Sequence, residues 1–199
     1  GELYRFAHVA DELRYSEDKA MQNLYGRIST LLSRDPFSYE TGFDWGQIFG
    51  NEGTIDIFQL KSYQLNIQKV LIEFLLWDLY QYATRTGSEA KPLPVVLDEV
   101  QNLDFSGFSP AVKILREGRK FGLSGIFATQ SLDSIRGNDA EAIYNAAEQL
   151  HFLPPDSQVA VIARLATSNP NDRKEVETSL KKLRKGEALV YGPVQLEDG

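Results

Sequence analysis

Cysteine is absent from the 199 residues, which excludes a disulfide framework and a thiolate zinc site and is typical of a protein of the reducing cytoplasm. No apolar run reaches roughly 18 residues, so the sequence predicts no membrane-spanning helix. The segment GELYRFAHVADEL has neither the basic flank nor the apolar block of a signal peptide. The two histidines, His8 and His151, are too far apart in sequence to suggest a metal site, and we expect His151 to pack within a strand.

Positive charge is also scarce. Lysine and arginine total 21 against 28 aspartates and glutamates, which leaves a formal net charge of −7. Such a chain is not expected to bind polyanions in general. Contact with DNA or RNA would require a local basic patch or a larger assembly.

The remaining composition is that of an ordinary globular protein, with 42% hydrophobic and 25% charged residues. The length allows one substantial core or at most two small ones. We therefore expect a single domain over residues 1–199, in which a mostly helical and loop-rich lead-in over 1–53 precedes an α/β core over 54–193.

Hydrophobic periodicity and capping residues predict an alternation of strands and helices along this core. Ser109 and Pro110 form a helix start, and Gly122 ends that helix. The predicted strands cover 54–60, 95–99, 124–130, 149–153 and 186–192, and the predicted helices 17–34, 62–86, 109–121, 139–148, 156–165 and 172–184. This order predicts an α/β fold with a mainly parallel sheet and helices on both faces.

Polar side chains follow two consecutive strands of this predicted sheet. Asp98 and Glu99 end one strand, and Thr129 and Gln130 end the next. Ligands of open parallel sheets bind beyond the carboxyl ends of the strands, so neighbouring strands would bring these side chains together. Asp98 could hold the water shell of Mg²⁺, Glu99 could orient an attacking water and Gln130 could sense a γ-phosphate. The alternative is a helix-capping loop with no chemistry.

Basic residues occupy the helix between those strands, in KILREGRKFG. Lys113, Arg116 and Lys120 share one stripe with Glu117, which for the lysines favours a solvated, self-paired surface. Arg119 lies near the helix end, where positive charge is favoured by the dipole. The guanidinium of Arg119 could instead reach a phosphate across a subunit boundary.

The segments PVVLDEVQNL, ILREGRKFGLSGIFATQSLDSI and LRKGEALVYG resemble the C-terminal part of the motor domain of HerA/FtsK-type P-loop ATPases. TraG-type conjugation ATPases belong to the same broad group, and the HerA-like branch includes motors of DNA repair and phage defence. The resemblance implies a partial RecA-like core, ATP and Mg²⁺ as cofactors, and DNA as the translocated partner. It also implies a hexamer, with a nuclease as a further partner.

By position, Asp98 resembles the Walker B magnesium residue, with Thr129 beside the nucleotide, and Glu99 resembles the catalytic glutamate. Gln130 resembles the sensor glutamine and Arg119 the arginine that acts from a neighbouring subunit, with Arg116 as its substitute.

The sequence departs from the family in one motif, since no G-x-x-x-x-G-K-[ST] occurs in it. We expect either a fragment of a longer motor or a non-catalytic RecA-like module for oligomerisation or DNA binding. A metal-dependent nuclease is a lesser alternative, in which Asp98, Glu99 and Gln101 would need a further acid such as Asp56.

Overall fold

The computed structural model describes residues 6–34, 43–50, 53–103, 105, 108–130, 132, 135, 143 and 148–192. The chain divides into two compact units, Gly1–Ile67 and Gln68–Gly199. The prediction of one domain over 1–199 stays a prediction, and each unit is described separately. Among the described residues, no helix combines the length and apolarity needed to cross a bilayer.

The first unit contains helices α1 (Phe6–Arg14), α2 (Lys19–Arg34) and α3 (Trp45–Gly50), and the first residues of α4 (Leu65–Thr86). Asp18 caps α2 by accepting a hydrogen bond from the Ala20 N–H at 2.8 Å. The rings of Phe43, Trp45 and Phe58 contact one another, with centroids 4.9–6.0 Å apart. Helix α2 confirms the prediction for 17–34, whereas α1 was not predicted.

The strand predicted over 54–60 is wrong, because this segment has no regular structure. Ile55 and Ile57 are 87% and 82% exposed. An alternating pattern shows that a segment could form a strand but does not show which strand it would pair with. A strand needs such a neighbour for its backbone hydrogen bonds. The described residues supply no such neighbour to 54–60.

The second unit contains a parallel β-α-β arrangement, as the sequence predicts. Strands β1 (Leu93–Leu97) and β2 (Leu123–Phe127) pair in parallel, and between them lie a 3₁₀ turn (Val100–Asn102), helix α5 (Pro110–Glu117) and a 3₁₀ turn (Gly118–Phe121). The Ser109 hydroxyl accepts a hydrogen bond from the Ala111 N–H at 3.2 Å and caps α5. Gly122 ends the helical segment with a φ of 77°.

Helix α4 packs against the α5 segment through aromatic side chains. The Tyr80 ring meets the Phe121 ring edge-on at 5.9 Å, and its hydroxyl donates a hydrogen bond to Glu117 Oε1 at 2.5 Å. Lys113 Nζ lies 5.0 Å from the Trp77 ring centroid and 5.6 Å from that of Tyr80. Lys113 and Glu117 therefore contact α4, which differs from the solvated, self-paired surface expected for this stripe.

The β1–β2 pair has one packed face and one exposed face. Val95 and Leu123 are buried, whereas Val96 and Ile126 are 65% and 54% exposed. The prediction of helices on both faces therefore does not hold for the described residues. Continuous apolar strands indicate burial on two sides, but the described residues pack against one face of this pair only.

The second sheet corrects the prediction of mainly parallel pairing. Strands β3 (Gln149–Phe152) and β4 (Ala188–Tyr191) are antiparallel. Between them lie helices α6 (Asp156–Ala166) and α7 (Pro170–Lys182), which bury Val159, Ile162 and Leu180 together. One helix between two strands requires two chain reversals, which leave the strands parallel. Two helices require three reversals, which leave β3 and β4 antiparallel.

The described architecture is thus a mixed α/β fold with a small parallel sheet. The predicted helices at 62–86, 156–165 and 172–184 and the predicted strands at 149–153 and 186–192 are confirmed, with shifts of a few residues at their ends. The helix predicted over 139–148 lies almost wholly outside the described residues.

Candidate functional site

The carboxyl ends of β1 and β2 lie side by side and are tied together beyond the last strand residues. The Ala128 N–H donates to the Leu97 carbonyl at 2.8 Å, and the Val100 N–H donates to the Ala128 carbonyl at 3.0 Å. The expectation that these two strand ends meet is confirmed. We call Asp98, Glu99, Gln101, Thr129 and Gln130 the strand-end site.

The backbone at Glu99 adopts an unusual conformation. Its φ of 55° and ψ of 43° are left-handed, and it is the one non-glycine residue with positive φ among the described residues. In this conformation a residue with a Cβ atom loses about 1–2 kcal/mol of conformational free energy. The Glu99 N–H donates to Asp98 Oδ1 at 2.9 Å, and the adjacent Val100 side chain is buried. These contacts hold a turn that the Glu99 backbone alone would not favour, which is common at functional sites.

The Glu99 carboxylate accepts hydrogen bonds on both oxygens. Gln130 Nε2 donates to Oε1, and Gln101 Nε2 donates to Oε2. The Thr129 hydroxyl donates to Gln101 Oε1 at 2.8 Å. The structure therefore brings Glu99 and Gln130 together, as the sequence suggests, and connects Thr129 to Glu99 through Gln101.

Gln101 belongs to this network, whereas the sequence predicts it only as part of a nuclease triplet. The signal that could have found it is its position two residues after Glu99. The left-handed turn at Glu99 brings the side chains of Glu99 and Gln101 to the same side of the loop. The sequence alone does not reveal that a glutamate adopts this conformation.

Asp98 has the character of a ligand for a hydrated metal ion. Its side chain is exposed, Oδ1 accepts from the Glu99 N–H, and none of the described residues hydrogen-bonds to Oδ2. Oxygen ligands from one or two carboxylates, together with retained waters, suit Mg²⁺. Asp98 could therefore serve as one oxygen ligand of a hydrated divalent cation. No group of three or more histidine and acidic side chains suited to a metal occurs in the part of the chain that the structure describes.

The structure does not bring Arg116 and Arg119 to the strand-end site. The Arg119 carbonyl accepts from the Gly122 N–H at 3.0 Å, and the Gly122 carbonyl accepts from the Leu93 N–H at 2.6 Å. Arg119 is therefore beside the beginnings of both strands. The five residues of β2 span about 16 Å, so Arg119 lies at the opposite end of this sheet from Glu99.

His151 lies in β3, away from the strand-end site in sequence and in its own sheet. Its Nε2 is 3.1 Å from Gln149 Oε1, and burial lowers the pKa of the imidazole. A lowered pKa keeps this ring neutral near pH 7, which is the form that packs between β-strand neighbours at least cost. These features agree with the packing role expected for His151.

No protein-family model matches this chain, and no curated protein sequence matches it either.

Proposed function

We propose that this chain supplies the metal-binding and water-activating residues of a Mg²⁺-dependent ATP hydrolase, within a DNA-translocating motor of the HerA/FtsK type. The observation that carries the proposal is the hydrogen bond from Gln130 to Glu99 across the carboxyl ends of two adjacent parallel strands. Open parallel sheets bind ligands at this end, and an acid and an amide there are suited to holding a nucleophilic water.

Three residues of the strand-end site have a role in the chemistry of this proposal. Asp98 would hold the water shell of the metal through its exposed carboxylate. Glu99 would orient the attacking water and accept its proton, and Gln130 would fix the Glu99 carboxylate and sense the γ-phosphate. When bound, Mg²⁺ would neutralise charge on the phosphate oxygens of ATP.

The position of Arg119 supports a role in a neighbouring subunit. An arginine that completes the site of another protomer has to lie away from the site of its own chain, and Arg119 is exposed beside the beginnings of β1 and β2. Arg116 is exposed in the last turn of α5 and is the alternative donor. A hexameric ring, DNA as the translocated partner, a partial RecA-like core and a nuclease partner belong to the same proposal.

A second candidate function is favoured by the apolar surface. The exposed face of the β1–β2 pair carries Val96 and Ile126, and the exposed face of the β3–β4 pair carries Leu150, Phe152 and Val190. Large exposed apolar side chains on sheets are typical of interaction surfaces. A RecA-like module that assembles or binds DNA without hydrolysing ATP would use such surfaces and would not need the Glu99–Gln130 hydrogen bond.

ATP hydrolysis by the intact protein that contains this chain separates these candidates. We expect Glu99→Gln to lower DNA-stimulated turnover by about 100-fold or more, because it removes the general base. ATP binding should persist, and Glu89→Gln, at an exposed loop position, is the matched control. If Glu99→Gln leaves the turnover unchanged, Glu99 is not the general base. Metal-dependent nicking of plasmid DNA would instead support the nuclease alternative.

The 199 residues by themselves should hydrolyse ATP negligibly, because they contain no G-x-x-x-x-G-K-[ST] loop to hold the phosphates. A phosphate-release assay with the isolated chain checks this expectation. Robust Mg²⁺-dependent turnover that Glu99→Gln abolishes would contradict it.

A further inference from the structure

We propose that Gln101 and Thr129 form a positioning pair that holds the Glu99 carboxylate in its working orientation. This inference rests on the proposed ATPase function and adds two residues to its machinery. It starts from the chain of hydrogen bonds that runs from the Thr129 hydroxyl to Gln101 and from the Gln101 amide to Glu99. Neither residue has to touch ATP in order to act.

The polarity of this chain of hydrogen bonds follows from the donor and acceptor inventory. An ionised carboxylate only accepts, so the Gln101 group that faces Glu99 has to be the NH₂. Gln101 Oε1 then faces Thr129, whose hydroxyl has to donate. One amide orientation satisfies both contacts, and the opposite orientation would point a carbonyl oxygen at the carboxylate. The Thr129 hydroxyl therefore selects the orientation of the Gln101 amide.

The backbone holds both ends of the pair at a fixed separation. Val100, between Glu99 and Gln101, is buried and donates its N–H to the carbonyl of Ala128, the residue before Thr129. The left-handed turn at Glu99 directs the Glu99 and Gln101 side chains to one side, where they meet. The loop that carries Glu99 and Gln101 is hydrogen-bonded to the end of β2. Loss of the Thr129 hydroxyl would therefore alter the Gln101 and Glu99 side chains while the strands stay in place.

This arrangement leaves Glu99 able to work as a base. Each carboxylate oxygen can accept about two hydrogen bonds. Gln130 uses one position on Oε1 and Gln101 one position on Oε2, so either oxygen can still accept a hydrogen bond from water. Two amides that approach from different segments restrict rotation of the carboxylate about its last bond. A reacting group that is misplaced by about 1 Å can lose roughly 100-fold in rate, so this restriction has kinetic value.

The first experiment uses the 199-residue chain without nucleotide and follows the side-chain amide signals of Gln101 and Gln130 by ¹H–¹⁵N NMR. Thr129→Val preserves the side-chain shape and removes the donor, whereas Thr129→Ser keeps a hydroxyl. We expect Thr129→Val to shift the Gln101 amide signals, and the Gln130 signals through their shared carboxylate. Thr129→Ser should restore both. Thr178→Val, which removes a hydroxyl on the exposed side of α7, should change neither.

The second experiment measures ATP hydrolysis by the intact protein. Thr129→Val and Gln101→Leu should each lower kcat by about 10- to 100-fold with little change in KM for ATP, because they disturb positioning and not nucleotide binding. Thr129→Ser should recover most of the loss. The double variant should be no slower than Gln101→Leu alone, since the threonine acts only through the glutamine.

The outcomes distinguish this inference from the function on which it rests. If Glu99→Gln abolishes hydrolysis while Thr129→Val leaves kcat unchanged, the positioning pair is refuted and the ATPase proposal stands. If Glu99→Gln has no effect on hydrolysis, the ATPase proposal fails. Unaltered Gln101 amide signals in Thr129→Val would overturn the inference on structural grounds, whatever the kinetics.

Discussion

The contact between Tyr80 and Glu117 gives a stability prediction that can be worked from the structure. Tyr80 is 6% exposed, and its hydroxyl donates to the Glu117 carboxylate at 2.5 Å. Tyr80→Phe keeps the ring that packs on Phe121 and removes only the hydroxyl. A hydrogen bond to a charged group contributes about 1.5–3 kcal/mol. Because Glu117 is half-buried and water can partly replace its partner, we expect a loss of about 1.5 kcal/mol.

The same contact predicts a pH dependence. Burial, with the Glu117 carboxylate as the hydrogen-bond acceptor, raises the pKa of Tyr80 from 10.0 to about 12. The unfolded chain then loses this proton at lower pH than the folded chain, so the stabilisation is complete below pH 10 and is lost as pH rises towards 12. At pH 11 the lost stabilisation should be on the order of 1 kcal/mol or less, because solvent around Glu117 screens the interaction.

Urea unfolding followed by Trp77 fluorescence measures both effects. The chain has two tryptophans, so a Trp45→Phe background leaves Trp77, whose ring centroid is 6.0 Å from that of Tyr80, as the reporter. The control is Tyr191→Phe, at an exposed position in β4. The reasoning is refuted if Tyr80→Phe costs no more than Tyr191→Phe. It is also refuted if the difference between Tyr80→Phe and the parent does not shrink above pH 10.

Two further stability predictions follow from buried positions in the second unit, each measured by chemical denaturation. Gly122→Ala should lower the free energy of unfolding clearly more than Gly186→Ala. Both glycines have positive φ, 77° and 90°, so the backbone strain is similar. A Cβ at Gly122 would overlap the Ser88 carbonyl oxygen, whereas a Cβ at Gly186 would meet no atom within 4 Å. Equal losses would exclude the steric explanation. Leu180→Ala should cost about 2–5 kcal/mol, because Leu180 of α7 is wholly buried against Val159 and Ile162 of α6. Leu153→Ala, at an exposed position, should cost little. Similar losses for the two leucines would argue against that core.

Local signals in the sequence predicted the helices well, and their physical basis explains why. Ser109 followed by Pro110 starts α5, and Gly122 adopts the left-handed conformation that ends the segment. Capping and helix termination depend on a few neighbouring residues, so they can be recognised without knowledge of the rest of the fold. Helix α7 also begins with a capping residue, Asn169, and Pro170, two residues before its predicted start at 172.

Strand pairing depends on distant residues and was predicted less well. The alternating pattern at 54–60 has no pairing partner among the described residues, and the antiparallel β3–β4 pair follows from the two intervening helices. For the candidate site, the meeting of Glu99 and Gln130 could be predicted because both end apolar strands joined by one helix. The place of Gln101 could not, since it depends on the left-handed turn at Glu99.

The most direct test of the proposed function is a double-mutant cycle on the kcat of the ATP hydrolysis that we propose for the intact protein. The cycle compares Glu99→Gln, Gln130→Ala and the two together, because the Gln130 amide donates to the Glu99 carboxylate. Residues that act as one unit on the same water give non-additive losses, so we predict that the double variant is no slower than Glu99→Gln alone. The account would be contradicted if the two reductions in kcat multiplied in the double variant. It would also be contradicted if Glu99→Gln left the rate of hydrolysis unchanged.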